Sequence, residues 1–143
     1  MKQLVKLTAA AAFGALAAGS IVYAQASPPF PRAIVSIYHA APGHQEALLT
    51  WLAQQDKVAA AAGVGVAPLQ LYAHTDGDSW DYMGIGPVTT EAQDNAMDAA
   101  ARRMGLQTGP RAGLELRKHI QSHTDTYTVG PMTATQMLQR LGS

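Results

Sequence analysis

The sequence predicts a small α+β domain whose elements follow the order β-α-β-β-α-β, with an extra helix before the last strand. Three observations support this prediction. Residues 32 to 39 alternate as a strand does and run through Pro42-Gly43 into a segment with helical spacing. Asp76-Gly77 then separates two further extended segments, and Thr90 with Gln93 forms a capping signal for a second helix.

The first helix and the hairpin after it have clear ends in the sequence. Apolar residues recur at helical spacing from residue 48 to residue 62, and Gly63 can end that helix. Residues 67 to 74 and 79 to 86 are predicted as two strands. A tight turn joins them because Asp-Gly favours the backbone of a two-residue hairpin loop.

The last third of the chain predicts one more strand and two more helices. The second helix ends near Gly105, and a third helix is predicted from residue 111 to residue 123 because its apolar residues and two histidines share one stripe. A short strand follows over residues 125 to 129. A final short helix after Thr133 could cover a sheet edge or a partner.

The end of the first strand, His39-Ala40-Ala41-Pro42-Gly43-His44, opens directly into the first helix. In this respect residues 34 to 104 resemble the dimeric α/β-barrel superfamily, which includes antibiotic-biosynthesis-monooxygenase-like proteins. The resemblance implies a ferredoxin-like sheet covered by helices on one face, and a homodimer in which two such sheets form a barrel. It also implies that small hydrophobic substrates bind between sheet and helices. The third helix departs from the minimal pattern of this superfamily.

An export signal is predicted at residues 1 to 26. Two lysines precede an apolar, alanine-rich segment, and Ala24-Gln25-Ala26 has the small residues that signal peptidase requires. Cleavage after Ala26 leaves a single domain, residues 27 to 143, with no membrane segment. The short alanine-rich core is typical of bacterial signals, so the sequence predicts a periplasmic protein.

Composition and charge exclude several classes of function. The 10 Lys and Arg residues balance the 10 Asp and Glu residues, and no dense basic field exists, which excludes nucleic acid as a partner. The chain has no cysteine, which excludes disulfides, thiolate catalysis and iron–sulfur clusters. Stability must therefore come from burial, and homodimerisation would supplement the small core of one domain.

Strand alternation divides the strand residues into two sets. We expect the aliphatic, odd-numbered set to meet the helices, and the polar and aromatic, even-numbered set to lie inside a barrel as a dimer interface or a second ligand cavity. The odd-numbered set is Val35, Ile37, Leu69, Leu71, Met83 and Ile85. The even-numbered set is Ser36, Tyr38, Gln70, Tyr72, His74, Trp80 and Tyr82.

Four residues are candidates for acid–base catalysis. His39 and Asp81 continue the odd-numbered set at neighbouring strand ends, so we expect them to meet, and a carboxylate beside an imidazole prepares it as a general base. His119 and His123, four apart on the predicted third helix, would converge on this pair as acid or substrate anchor. The alternatives are a buried structural hydrogen bond for the pair and ordinary helix positions for the two histidines.

Apolar and aromatic side chains would supply the walls of such a site. The candidate substrate-binding residues are Trp51, Met83, Tyr127 and Tyr72. The His-x-x-x-His spacing could also bind zinc or iron with His39 or Asp81. It lacks the adjacent Glu of the helical zinc motif, so neither a metal nor a cofactor is predicted.

The leading functional hypothesis is a cofactor-independent acid–base enzyme of lyase, isomerase or monooxygenase type. Its substrate would be a small aromatic molecule in the periplasm. The alternative is a non-catalytic periplasmic binding protein for haem, a metal or an aromatic ligand. A third interpretation is an interaction protein that only builds an oligomer, and the presence or absence of a cavity near His39 distinguishes it from the other two.

Overall fold

The structure of the protein, a computed structural model, describes residues 31 to 142. The predicted export signal at residues 1 to 26 lies outside the described residues. The strands and helices of the described part are β1 (Arg32–Ala40), α1 (Gln45–Ala62), β2 (Gln70–Ala73), β3 (Tyr82–Pro87), α2 (Glu91–Arg103), α3 (Pro110–Arg117), β4 (Ile120–Val129) and α4 (Ala134–Arg140).

The four strands form one antiparallel sheet in the order β2-β3-β1-β4. Each long connection passes over one intervening strand, α1 between β1 and β2 and α2 with α3 between β3 and β4. This strand order with these connections is the ferredoxin-like fold. The predicted fold class is confirmed, including the extra helix before the last strand.

The turn from β1 into α1 is built as the Pro-Gly sequence predicts. The His44 amide donates to the Ala41 carbonyl at 2.8 Å, and Gly43 has a positive φ of 78°, which glycine adopts without strain. At the other end, Gly63 ends α1 in the left-handed conformation. The predicted capping boxes at Thr90 and Thr133 are both formed.

The main core lies between β1 and the helices. Tyr38 and Ala40 of β1 are buried against Leu48 and Leu52 of α1 and against Leu116 of α3. Leu48 is completely buried. A second, smaller cluster joins α1 to α2 through Val58, Ala100 and Ala101. The α3 helix therefore completes the core over β1, although the minimal fold has no such helix.

The predicted assignment of the two faces was wrong for the central strands. In β1 and β3 the even-numbered residues face the helices, and the aliphatic residues Val35, Ile37, Met83 and Ile85 lie on the opposite, open face. In β2 the order is reversed, so Leu71 lies on the helix side and Tyr72 on the open face. The open face is defined here as this helix-free side of the sheet.

The physical reason for the error is that alternation shows which residues share a face but not which face the helices cover. On the helix side of the sheet, the strand residues must be small wherever another side chain packs directly against the strand backbone. A Cβ atom on Gly84 would lie 2.7 Å from Cδ2 of Leu69, and one on Gly86 would lie 3.1 Å from Cδ1 of the same residue. The two glycines of β3 thus identify the side that other side chains cover.

The predicted third helix was too long. The α3 helix ends at Arg117, and β4 already begins at Ile120, so His123 belongs to a strand and His119 to the turn before it. The Ala41 amide donates to the His119 carbonyl at 2.9 Å, which fixes this turn beside the end of β1. Threonines at alternate positions, 124, 126 and 128, favour a strand and extend it beyond the predicted residues 125 to 129.

The hairpin strands are also shorter than predicted, because β2 starts at Gln70 and β3 at Tyr82. The α4 helix exposes Met137 and Leu141. No helix within residues 31 to 142 combines the length and the apolarity needed to cross a membrane.

The core assignment predicts unequal costs for two leucine truncations. Leu48→Ala should lower the free energy of unfolding by about 2–5 kcal/mol, because it leaves a cavity in the main core. Leu114→Ala, on the exposed side of α3, should change it by no more than about 0.5 kcal/mol. Urea unfolding of the two variants measures the difference, and equal losses would contradict the assignment.

Candidate functional site

Pairing of β1 with β4 brings four polar or aromatic side chains together on the helix side of the sheet. Ser36 lies opposite Asp125, and Tyr38 lies opposite His123. We call these four residues the β1–β4 cluster. The two residues of β4 belong to an edge strand, so the cluster extends from beneath the helices to the edge of the sheet.

The carboxylate of Asp125 is the centre of this cluster. The Ser36 hydroxyl donates to Oδ1 of Asp125 at 2.6 Å. The other oxygen, Oδ2, lies 3.4 Å from Nε2 of His123, within ion-pair distance when the imidazole is protonated. The His123 ring lies nearly parallel to the Tyr38 ring, with 6.1 Å between centroids and 14° between planes. The Asp125 carboxylate therefore lies between the Ser36 hydroxyl and the His123 imidazole.

The cluster passes from the interior to solvent. Ser36 and Tyr38 are each 7% exposed, whereas the side chains of His123 and Asp125 are 32% and 48% exposed. A buried serine hydroxyl needs a hydrogen-bond partner, and Asp125 provides it. The arrangement therefore connects a buried hydroxyl to an imidazole that water can reach.

Burial raises the pKa of the Tyr38 phenol above its usual value of 10.0. The hydrogen bond with the Ser36 side chain lowers the pKa, and the negative charge of Asp125 raises it further. Desolvation is the largest of these effects, so the phenol stays protonated under all ordinary conditions. In that state the Tyr38 ring lies stacked beside the His123 ring.

A small cavity between the sheet and helices α1 and α2 lies against this cluster. Its volume is about 230 Å³, and Ser36 is part of its wall. Most of the remaining lining is apolar or small, and the polar exceptions are Gln55 and Asp56. The lining residues are Ile34, Ser36, Gln55, Asp56, Ala59, Val66, Ala67, Leu69, Gly86, Pro87 and Met97. We call it the sheet–helix cavity.

The predicted pairing of His39 with Asp81 is wrong. His39 lies on the open face of β1, opposite Ser122 of β4. Asp81 precedes β3, and its Oδ2 accepts a hydrogen bond from the Ala40 amide at 2.7 Å. Among the described residues no ion pair or hydrogen bond joins the two. Asp81 uses its carboxylate to complete the backbone hydrogen bonding at the end of β1.

His119 lies in a different place, a cleft of about 730 Å³ between α1, the α2–α3 loop and α3. We call it the α1–α3 cleft. The imidazole of His119 is tilted against that of His44 at 5.9 Å between centroids. Its Nδ1 is buried and has no hydrogen-bond partner among the described residues. Trp51 lines the same cleft.

The predicted convergence of the three histidines is therefore wrong. His39 is on the open face, His119 is in the α1–α3 cleft, and His123 is in the β1–β4 cluster. The error follows from the helix predicted through residue 123. On a helix His119 and His123 would share a face, whereas in the structure a turn and a strand separate them.

The four candidate substrate-binding residues are also separated. Of these, Trp51 alone lines a described cleft. Met83 and Tyr72 are neighbours on the open face. Tyr127 is 66% exposed, and the Arg32 guanidinium lies 5.9 Å from its ring centroid. Within residues 31 to 142 no group of three or more His, Asp or Glu side chains is placed to hold a metal ion.

Sequence reasoning missed Ser36 and Asp125 as functional candidates. Ser36 was assigned to a barrel interior, and Asp125 was placed at the start of a short strand. The signal that could have found them is the alternation His123, Asp125, Tyr127, which matches Tyr38, Ser36, Ile34 in an antiparallel pair. It becomes readable only when residues 120 to 129 are recognised as one long edge strand.

Comparison with known proteins finds similarity in solved structures alone. No family model matches the chain, and no curated protein matches it. The chain is similar to protein PA3566 from Pseudomonas aeruginosa, with 18% identity, a TM-score of 0.46, and coverage of 72% of this chain and 96% of that one. It is similar to a dimeric ferredoxin-like protein of unknown function from Thermobifida fusca, with 8% identity, a TM-score of 0.46, and coverage of 71% and 92%.

A further similar structure is SnoaB from Streptomyces nogalater, described as a cofactor-independent oxygenase. It has 20% identity and a TM-score of 0.43, and the match covers 73% of this chain and 97% of that chain. The ferredoxin-like fold of this chain is shown by its own strand order and connections.

The raised pKa of Tyr38 predicts a loss of stability in alkali. The buried phenol contributes fully below pH 10, and its contribution is lost as the pH rises from there through the raised pKa, because the unfolded chain releases this proton first. Urea unfolding between about pH 8 and pH 11 should show a steeper fall for the wild type than for Tyr38→Phe. Tyr72→Phe, on the half-exposed Tyr72, should retain the wild-type slope.

Proposed function

We propose that the protein is an acid–base enzyme that removes a proton from a small aromatic molecule bound in the sheet–helix cavity. One observation carries the proposal. Ser36 lines a largely apolar cavity, and its hydroxyl donates to Asp125, which in turn lies beside the imidazole of His123. A hydroxyl, a carboxylate and an imidazole in sequence are the parts of a proton relay.

The relay works by three proton movements. An acidic O–H or C–H of the substrate gives its proton to Oγ of Ser36, while the Ser36 proton moves to the carboxylate of Asp125 along the 2.6 Å hydrogen bond. The protonated carboxyl group of Asp125 then rotates, so that the proton it received on Oδ1 faces Nε2 of His123, which accepts it and releases it to water. The substrate is left as an anion inside an apolar cavity, ready for isomerisation, elimination or reaction with oxygen.

The size and lining of the cavity indicate the class of substrate. An apolar cavity of about 150 Å³ holds a benzene ring in another protein, so about 230 Å³ fits one substituted aromatic ring. Leu69 and Met97 provide apolar contacts, and Ser36 provides a hydrogen bond to a ring hydroxyl. A hydroxylated single-ring compound meets these conditions.

The location and the assembly are part of the same proposal. The export signal at residues 1 to 26 supports a periplasmic enzyme released by cleavage after Ala26.

The open face supports a homodimer, because Val35, Ile37, Met83 and Ile85 form an aliphatic surface that no helix of the described chain covers. Two such faces packed together form the core of a barrel.

The second candidate is a non-catalytic protein that binds a small aromatic molecule. The α1–α3 cleft favours it, because this cleft is larger than the sheet–helix cavity and is lined by Trp51. Such a protein would bind without any turnover that depends on Ser36 or Asp125.

Catalysis can be tested with single-ring phenols. Phenol, catechol and resorcinol are incubated with the protein, ring deuteration in D2O is followed by NMR, and oxygen uptake is followed with an electrode. We expect acceleration over buffer, and we expect Ser36→Ala and Asp125→Asn each to reduce it by about 10²–10⁴-fold, the usual contribution of general acid–base catalysis. His123→Gln should reduce it by a similar factor.

The matched control is His44→Gln, which changes an exposed histidine before α1, outside both the sheet–helix cavity and the open face, and should leave the rate unchanged. Circular dichroism verifies that each variant is folded. Saturable binding of these phenols without acceleration would instead support the binding protein. Acceleration that survives Asp125→Asn would exclude the relay.

The homodimer has its own test. Ile37→Lys places a charge in the middle of the open face, so light scattering after size exclusion should show that the wild-type dimer becomes a monomer. Ala53→Lys, on the exposed side of α1, should remain dimeric. A monomeric wild type, or a dimer that tolerates Ile37→Lys, would contradict the proposed interface.

A further inference from the structure

The α1–α3 cleft has features of a second ligand site, separate from the sheet–helix cavity. Its volume of about 730 Å³ is within the usual range for small-molecule sites. Its described lining residues come from α1, the α2–α3 loop and α3, together with Gly43 and His119. Gln55 is the one described residue that lines both spaces. The inference therefore does not depend on the proton relay.

One stripe of α1 forms the longest wall of the cleft. Glu46, Thr50 and Gln54 recur four residues apart, and so do Ala47 and Trp51, so these two adjacent rows lie on one side of the helix. Leu48 and Leu52 of the same helix are buried in the main core. The stripe combines a large aromatic surface, at Trp51, with polar groups on both sides of it.

The charges around the cleft are negative. The ionisable residues in its described lining are Glu46, Glu115 and His119, and no lysine or arginine is among them. Both carboxylate oxygens of Glu115 accept from Nζ of Lys118 at 2.8 Å, so this charge is neutralised within α3 and its cap. Among the described residues Glu46 has no ion-pair partner. An unneutralised carboxylate therefore stands one and a half helical turns before Trp51.

A second observation points to a ligand at the same place. Nδ1 of His119 is buried and has no hydrogen-bond partner in the described chain, which is unfavourable for a polar atom. The backbone holds this residue in position, because the Ala41 amide donates to its carbonyl. A buried polar atom without a partner, in the wall of a cleft, is a feature that a bound ligand would explain.

We propose that the α1–α3 cleft binds a small aromatic amine in its cationic form. The aromatic ring packs on the Trp51 indole, and the ammonium group pairs with the Glu46 carboxylate. Thr50 and Gln54 provide further hydrogen-bonding groups on the same helix face. An aromatic carboxylate of the same size is disfavoured because its charge would be repelled by Glu46 and would find no cation in the lining.

Three probes of similar size but different charge distinguish the effect of charge on binding from the effect of shape. They are 2-phenylethylamine, 2-phenylethanol and phenylacetate. The chain has two tryptophans, Trp51 and Trp80, so Trp80→Phe makes Trp51 the sole tryptophan reporter. Titration of this otherwise complete protein measures the change in Trp51 fluorescence. We expect 2-phenylethylamine to bind about tenfold more tightly than phenylacetate, with 2-phenylethanol between them.

The Glu46→Gln variant is the decisive comparison. It should weaken 2-phenylethylamine binding about tenfold and leave 2-phenylethanol binding unchanged, because only the cation uses the carboxylate. Glu91→Gln, in the first turn of α2 and outside the cleft lining, should change neither.

Three results would overturn the proposal. They are equal binding of the amine and phenylacetate, an equal loss of all three probes in Glu46→Gln, and no response of Trp51 up to about 10 mM probe.

Discussion

The pairing register of β1 with β4 is the constraint on which the candidate site depends. It places Ser36 opposite Asp125 and Tyr38 opposite His123, all on the side of the sheet that the helices cover. A shift by one residue would send one member of each pair to the open face and break the 2.6 Å hydrogen bond. The buried hydroxyl would then lose its hydrogen-bond partner. The geometry of the site and the stability of the sheet around it therefore both depend on the β1–β4 register.

The fold was predictable from local signals because each of them acts over a few residues. The Pro-Gly turn, the Gly63 cap and the capping boxes at Thr90 and Thr133 mark the ends of elements by backbone chemistry that neighbouring elements do not alter. The face covered by the helices was not predictable in this way. Both faces of β1 carry apolar or aromatic residues, and long-range packing distinguishes them, through the contacts of Tyr38 and Ala40 with the helices and of Leu69 with Gly84.

The site was predictable in part. His123 was a predicted site residue and belongs to the β1–β4 cluster, but the predicted pair of His39 with Asp81 does not form, and the carboxylate beside His123 is Asp125 instead. The difference comes from one boundary, the end of α3 at Arg117. The spacing of Leu116, His119, Ile120 and His123 fits one stripe of a helix, but it is equally compatible with a turn followed by a strand. Long-range pairing with β1 decides between them, and no short window of sequence contains that information.

A double-mutant cycle on Ser36 and Asp125 measures directly whether the hydroxyl and the carboxylate interact. Urea unfolding gives the free energies of the wild type, Ser36→Ala, Asp125→Asn and the double variant. A buried hydroxyl that donates to a carboxylate across the predicted register should give a coupling energy of about 1 kcal/mol or more. Additive effects, within about 0.5 kcal/mol, would show that the two side chains do not interact and that the relay does not exist.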